Sequence, residues 1–189
     1  MIVANQQRLF ADLRGRQFSL YFNDDMRSLT NPNGTVNLVD ELRATSIGTT
    51  ITWLYRGFFI PDTTSTTWQF RTTSDDASYL WVGSGATEED DTLDTGIADV
   101  DNGGLHGSQT RTSGNISLTA GVPYPIAIVA GNNTGPGSIT VEWRPNTSTS
   151  WVSYGRDFYF RNPKAGFDRR WEEYKDMEEL TKYKWNDEK

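Results

Sequence analysis

The chain has 189 residues and no cysteine. A disulfide framework, a thiolate metal site and a thiol nucleophile are therefore excluded. Histidine is nearly as scarce. The single His106 rules out a His-rich zinc site. Within Asn102-Gly103-Gly104-Leu105-His106-Gly107 it reads as a solvent-exposed loop residue with no catalytic neighbour. The start, Met1-Ile2-Val3-Ala4-Asn5-Gln6-Gln7, lacks the basic and then apolar regions of an export leader. No apolar run approaches the roughly 20 residues needed to cross a bilayer. These absences predict synthesis in a cytosol and no membrane insertion. Phosphate-cradling Gly-rich loops and the Gly-x-Ser-x-Gly nucleophile elbow are also missing, and the expectation is a protein that is not an enzyme.

Positive charge is missing from one long segment. The net charge of -7 argues against a nucleic-acid partner, but its distribution says more. Between Arg71 and Arg111 there is no Lys or Arg. The gap holds Asp75, Asp76, Glu88, Glu89, Asp90, Asp91, Asp94, Asp99 and Asp101. Nine of the 25 carboxylates lie there, so 18 basic residues face 16 acidic ones elsewhere. Such a segment either stays solvated or attracts a cation.

What is abundant is aromatic and β-forming. With 7 Trp, 8 Tyr and 9 Phe among frequent Thr, Ser, Gly and Asn, the palette is that of short strands and polar turns. A short helix is predicted over Asn5–Arg14, ended by Gly15, followed by a strand at Gln17–Phe22. Asn37–Ala44 reads as one or two helical turns. Strands are predicted at Ile51–Ile60, Thr66–Thr72 and Ser78–Gly83. Residues 84–113 form a long acidic, Gly-rich connection without a clear period. Further strands follow at Asn115–Leu118, Pro125–Ala130, Ser138–Trp143 and Asp157–Phe160. Trp68 and Trp81 fall in strand patterns and read as core. Trp143 and Trp151 flank a turn and read the same way, with stacking on a sugar ring as the other option. The expected fold class is all-β, an antiparallel β-sandwich. A short N-terminal helix and a C-terminal helical tail complete it, because Phe167, Trp171, Tyr174, Met177 and Leu180 recur at helical steps. The division is an arm at 1–16, the sandwich at 17–161 and the tail at 162–189.

One constellation carries chemistry. In Thr73-Ser74-Asp75-Asp76-Ala77-Ser78, adjacent carboxylates sit between two apolar strands. Neighbours in a regular strand face opposite ways, so a sharp bend, as at a cis peptide, is required for both to meet one ion. The residues alone leave two readings: a polar turn, or a site for a hard divalent cation. Calcium takes six to eight oxygens, so two aspartates need help from carbonyls and amides. The loop Gly131-Asn132-Asn133-Thr134-Gly135-Pro136-Gly137 offers both kinds of group.

Order and spacing add a resemblance. Tyr55-Arg56-Gly57-Phe58-Phe59-Ile60-Pro61 is followed by Trp68-Gln69-Phe70, Ser74-Asp75-Asp76-Ala77, Leu80-Trp81-Val82-Gly83 and Ala86. This series resembles the GLEYA and protective-antigen-type lectin-like domains. Pro125-Ile126-Ala127-Ile128-Val129-Ala130-Gly131-Asn132 is similar to the strand entering that family's second calcium loop. The likeness covers roughly residues 17–161. It implies a lectin-like, jelly-roll type sandwich in which an Asp pair joined by a cis peptide binds calcium. By position it implies Asp75 and Asp76 as carboxylate ligands and Asn132 as the amide ligand. Carbonyls near Thr134 and Pro136 would complete the set. A glycan would be bound at Asp75, Asp76, Asn132 and Asn133. The family's fungal adhesins carry a disulfide near their ends; this chain does not.

Such a fold is usually displayed outside cells, whereas no export leader is visible. A virion reconciles the two, because its parts are made in a host cytosol and exposed afterwards. The expectation is thus a calcium-dependent glycan-binding adhesion module of a phage-like virion. It would contact cell-surface glycan and dock on other virion or assembly subunits through residues 163–189, unless that tail packs back on the sandwich. Two alternatives are a purely structural assembly or decoration subunit, and an accessory module of a carbohydrate-active enzyme.

Overall fold

The longest apolar run sets the architecture. Ile51–Phe59 (β4) has no polar face, and nearly every residue in it is buried. A strand of this kind must lie inside a sheet that is covered on both sides. In the computed structural model, which describes residues 13–29, 32, 36–39, 42, 45–61, 67–89, 92–153 and 159–161, that is its place. Twelve strands are described: β1 (Leu13–Phe18), β2 (Val36–Val39), β3 (Thr45–Ser46), β4, β5 (Thr67–Asp75), β6 (Ser78–Val82), β7 (Val100–Asn102), β8 (Gln109–Thr112), β9 (Ile116–Ser117), β10 (Tyr124–Asn132), β11 (Ser138–Pro145) and β12 (Tyr159–Arg161).

They form an all-β antiparallel sandwich. One sheet has seven strands in the order β2-β1-β4-β10-β6-β7, with β12 also pairing β4. The other has five in the order β3-β11-β5-β8, with β9 also pairing β5. In the smaller sheet β5 and β11 alternate buried with half-buried residues. Phe70 lies opposite Trp143, and Thr72 opposite Val141. Between the sheets sit Trp53, Tyr55, Phe59, Trp68, Phe70, Leu80, Ile126, Ile128, Ile139, Val141 and Trp143. Phe59 meets Trp68, Phe70 and Trp143 edge-on, with centroids 5.3, 4.9 and 5.9 Å away. Each large side chain fully buried there contributes about 1.5–3 kcal/mol.

The outer face of the large sheet has its own core. Phe22, Met26 and Leu29 from the segment after β1, and Ala86 and Leu93 from the connection after β6, pack with Phe18, Leu54, Tyr79, Trp81, Ala127 and Val129 of the sheet. The long connection after β6 is therefore a lid with structure of its own. It contains 3-10 turns at Gly83–Thr87 and Thr95–Ile97 and the strand β7. The buried Arg56 holds its near end, donating to the carbonyls of Ala86 (2.8 Å) and Glu88 (2.7 Å).

Two local expectations are corrected. The first strand is Leu13–Phe18 rather than Gln17–Phe22, and Gly15 lies inside it. Gly15 is the meeting point with β4: a Cβ there would lie 2.6 Å from Tyr55 Cε1, so the aromatic ring occupies the place of a side chain. Within the range Asn37–Ala44, where helical turns are expected, residues 37–39 belong instead to the edge strand β2, because Val36–Val39 pairs with β1 residue by residue; most of 40–44 lies outside the described residues. The expected helix at Asn5–Arg14 falls mostly, and the tail at 162–189 wholly, outside the described residues. Among the described residues, no helix is long and apolar enough to cross a membrane.

Candidate functional site

Asp75 is the last residue of β5 and pairs with Ser138 at the start of β11. Asp76 follows in the two-residue corner to β6, and the peptide between the aspartates is cis. Asp75 is half-buried and Asp76 buried. The Asp76 carboxylate joins two loops that are distant in sequence. Its Oδ1 accepts from the backbone N of His106 (3.1 Å). Its Oδ2 accepts from the backbone N of Asn133 (2.9 Å). A carboxylate held by two amides is fixed in direction.

Asn132 ends β10 and is fully buried. Its Nδ2 donates to the carbonyls of Gly48 and Gly135, the latter at 2.8 Å. The segment 47–50 clamps the same loop, since Thr49 Oγ1 donates to Gly135 O (2.6 Å) and Thr50 N to Asn133 O (3.2 Å). With the amide nitrogen so engaged, Asn132 Oδ1 faces away from those carbonyls. It is buried and without a hydrogen-bond partner. Gly137 makes room for this side chain: a Cβ there would stand 2.5 Å from Asn132 Cγ.

The corner is backed by a closed polar network. Ser78 Oγ donates to Thr72 Oγ1 (2.9 Å) and shares a 2.8 Å bond with Ser74 Oγ. Asn102 Nδ2 donates to Ser74 Oγ (2.9 Å), and Gln109 Nε2 donates to Asn102 Oδ1 (2.8 Å). A satisfied buried network of this kind rigidifies what it supports. Here it fixes the ends of the 103–108 loop, and that loop delivers the His106 amide to Asp76.

Of the residues expected at the site, the structure thus gathers Asp76, Asn132 and Asn133, with Asp75 beside them. Thr134 and Pro136 lie exposed on the 133–137 loop. Among the described residues, no three of His, Cys, Asp and Glu gather into a metal-binding group. A cation here would therefore depend on amide and carbonyl oxygens as much as on carboxylates. The donor set fits a hard ion: a pinned carboxylate, a neighbouring one and a buried amide oxygen with no partner.

Trp143 is core, and the guanidinium groups of Arg71 and Arg144 each stand 4.4 Å from the ring centre of Trp151.

Sequence reasoning missed the loop after β1. Asn23 and Asp24 adopt left-handed conformations, φ 48° and 60°, which Asn and Asp tolerate better than most residues. That turn sends Tyr21 toward the Asp76 corner, where Tyr21 Cδ2 would lie 3.1 Å from a Cβ on Gly131. Asp24 Oδ2 accepts from Gly104 N (3.0 Å). Burial, reinforced by the charges of Asp24 and Asp76, pushes the Tyr21 hydroxyl up to about 12. Tyr79 is raised as well, by burial first and then by Asp24 and Asp101. The adjacent Asn23 and Asp24 are the one signal in the sequence that marks a turn there. His106, expected to be solvent-exposed, is half-buried, with its ring nitrogens against the carbonyls of Gly107 and Asn102 and its main-chain N–H on Asp76.

Comparison with known proteins agrees with this geometry. Residues 51–144 match the GLEYA domain. No curated protein matches the chain in sequence. Among solved structures, the A domain of epithelial adhesin 9 from Candida glabrata, in complex with Galβ1-3GlcNAc, superposes with TM-score 0.62 at 12% identity, over 83% of this chain and 92% of that one. A PA14 sugar-binding domain from an RTX adhesin gives 0.58 at 14% identity, over 81% and 99%. An anti-sigma factor domain-containing protein from Clostridium clariflavum gives 0.60 at 20% identity, over 83% of this chain but 49% of its own. The chain thus spans about half the length of that relative. The matched span covers the Asp75-Asp76 corner and the 131–137 loop together with the strands that carry them, so over residues 51–144 the chain is similar to the GLEYA domain, and the solved structures share its fold.

Proposed function

We propose that the chain is a non-catalytic glycan-binding module in which Asp75, Asp76, Asn132 and carbonyls near Thr134 and Pro136 hold a calcium ion. The observation that carries this reading is the pairing of a carboxylate fixed by two loops with a fully buried amide whose oxygen has no partner. An unpartnered buried oxygen costs about 1–3 kcal/mol. A hard cation would meet that oxygen and the aspartates together. When bound, calcium supplies open coordination positions for the vicinal hydroxyls of a sugar. The chain's own part is to hold the two loops at a fixed separation. Asp76 does so directly, by bonding the His106 and Asn133 amides at once. The sugar-binding and glycan-bound neighbours support a cell-surface glycan as the partner.

Display on a phage-like virion, with docking through residues 163–189, remains the setting we propose for this module. Antibody labelling of particles checks it: labelled particles support the setting and unlabelled ones contradict it. The binding reading itself is tested by glycan-array binding in calcium and in chelator. Signal in calcium that disappears in chelator supports it. Equal signal in both removes the ion from the account.

A further inference from the structure

Asp76 bridges the two arms of the site through the amides of His106 and Asn133. A second bridge lies two residues earlier on each arm. Segment 20–25, which follows β1, meets Gly104 on one side and Gly131 on the other. Asp24 Oδ2 accepts from Gly104 N (3.0 Å). At Gly131 a Cβ would lie 2.7 Å from Phe22 Cδ1 and 3.1 Å from Tyr21 Cδ2, so the two rings press on the backbone next to Asn132. The segment is anchored on β4 directly opposite that glycine. Phe22 N donates to Thr52 Oγ1 (3.1 Å), Thr52 Oγ1 donates to Leu20 O (2.8 Å), and Thr52 pairs with Gly131. Asp24 is held in turn, because the Tyr79 hydroxyl bonds its carboxylate. That hydroxyl lies over Gly103, where a Cβ would stand 1.8 Å from it.

We infer that segment 20–25 is a strap that sets the separation of the two arms, and that Asp24 is its positioning residue, on which ion affinity depends although Asp24 is not a ligand. The inference rests on the calcium reading and adds the control of that site. The Asn102 and Gln109 side chains hold the ends of the 103–108 loop. Asp24 holds the loop further in, from another part of the chain. Without that bond the stretch from Gly104 to His106 is free to shift, and the His106 amide shifts with it. Asp76 then keeps the Asn133 amide alone. A carboxylate fixed by one amide instead of two must be ordered when the ion arrives, and that cost is taken from affinity. The coupling runs both ways. An ion that fixes Asp76 also fixes His106, Gly104 and, through Asp24, the strap. Burial of the strap suits this role, since a positioning group needs contact with the loops and none with solvent or sugar. Both partners of the key bond have left-handed backbone, Asp24 at φ 60° and Gly104 at φ 92°. Gly adopts that conformation freely, and Asp and Asn tolerate it.

The test uses the whole chain beside Asp24→Ala, Asp24→Asn, Tyr79→Phe and Leu93→Ala. Calcium affinity is measured by titration calorimetry well below the melting temperature. Amide hydrogen exchange is followed at Gly104 and His106 in chelator. Asn keeps an acceptor oxygen and the left-handed turn but removes the charge, and Leu93→Ala loosens the outer cover at the connection after β6. Asp24→Ala should bind calcium at least about tenfold more weakly, within the ordinary range of coupling between sites, and exchange faster at both amides. Asp24→Asn should stay within about threefold of wild type, with Tyr79→Phe between the two. Leu93→Ala should melt lower at unchanged calcium affinity. An Asp24→Ala affinity within about twofold of wild type would overturn the inference and leave the ion site standing. Equal losses in Asp24→Asn and Asp24→Ala would also overturn it, by assigning the effect to charge. An equal loss in Leu93→Ala would do so by assigning it to stability. If Asp24→Ala does not fold, Tyr79→Phe decides. Weaker calcium binding with faster exchange at His106 supports the strap, and wild-type values of both overturn it. A wild type that binds no calcium would remove the reading beneath as well.

Discussion

The two faces of the seven-stranded sheet are buried by different means. The inner face packs strand against strand on the smaller sheet, through residues such as Phe59, Phe70 and Trp143. The outer face is covered by irregular segments, which bring Phe22, Met26 and Leu29 from one side and Leu93 from the other. The inner face supplies rigidity. Tyr21 and Asp24 arise from the N-terminal segment of the outer cover, and Asp24 ties that segment to Gly104. In the small sheet polar residues alternate outward, so β5 and β11 can end in functional loops without disturbing the core.

The comparison breaks most visibly at its centre. Phe59→Ala should cost about 3–5 kcal/mol in denaturant unfolding, the range for a large aromatic removed from a packed core. Leu93→Ala on the outer face should cost nearer 2 kcal/mol, because a loop cover can settle into the gap more easily than a second sheet can. Equal losses would mean that the cover is as rigid as the sheet. Gly137→Ala comes next. Its Cβ would press within 2.5 Å of Asn132 Cγ, so a destabilisation of about 1–3 kcal/mol is expected, as for overpacking. The same variant should lose most of the melting response to calcium. An intact response would show that Asn132 is not a ligand.

The smallest effect concerns Asp99, on the outer cover, whose Oδ2 accepts from Val82 N (2.7 Å). Burial raises its pKa above the ordinary carboxylate value, against the lowering effect of that bond. The folded chain therefore holds this proton more tightly than the unfolded one. The stability contributed is full below the ordinary value and is lost as pH rises through the folded pKa. Asp99→Asn should flatten that decline, and unfolding midpoints at pH 3.5 and pH 7 would show it. A decline of unchanged steepness would assign the pH dependence to other groups.

Much of the inner face was legible because it follows simple rules. The runs at Ile51–Ile60, Ser78–Gly83 and Pro125–Ala130 and the alternation at Ser138–Trp143 all became strands close to their expected bounds. The Asp-Asp corner could be read because two carboxylates between apolar strands break the pattern. The outer cover could not. Leu93 and Met26 carry no period, and their burial depends on where a loop returns in space. Gly15 misled because glycine marks a helix end in sequence, whereas here it makes way for Tyr55. Tyr21 and Asp24 escaped for a similar reason: their neighbours at Gly104 and Gly131 are about 80 and 110 residues away. His106 acts through its main chain, which every residue type shares.

The central claim is tested most directly by thermal melting of the wild type and of Asp76→Ala, in excess calcium and in chelator. Binding to the folded state alone adds about 2.7 kcal/mol at a hundredfold excess over Kd, or roughly 5–10 °C for a chain of this size. The account predicts that rise in the wild type and none in Asp76→Ala. A wild type whose melt is the same in both solutions, up to millimolar calcium, would contradict it.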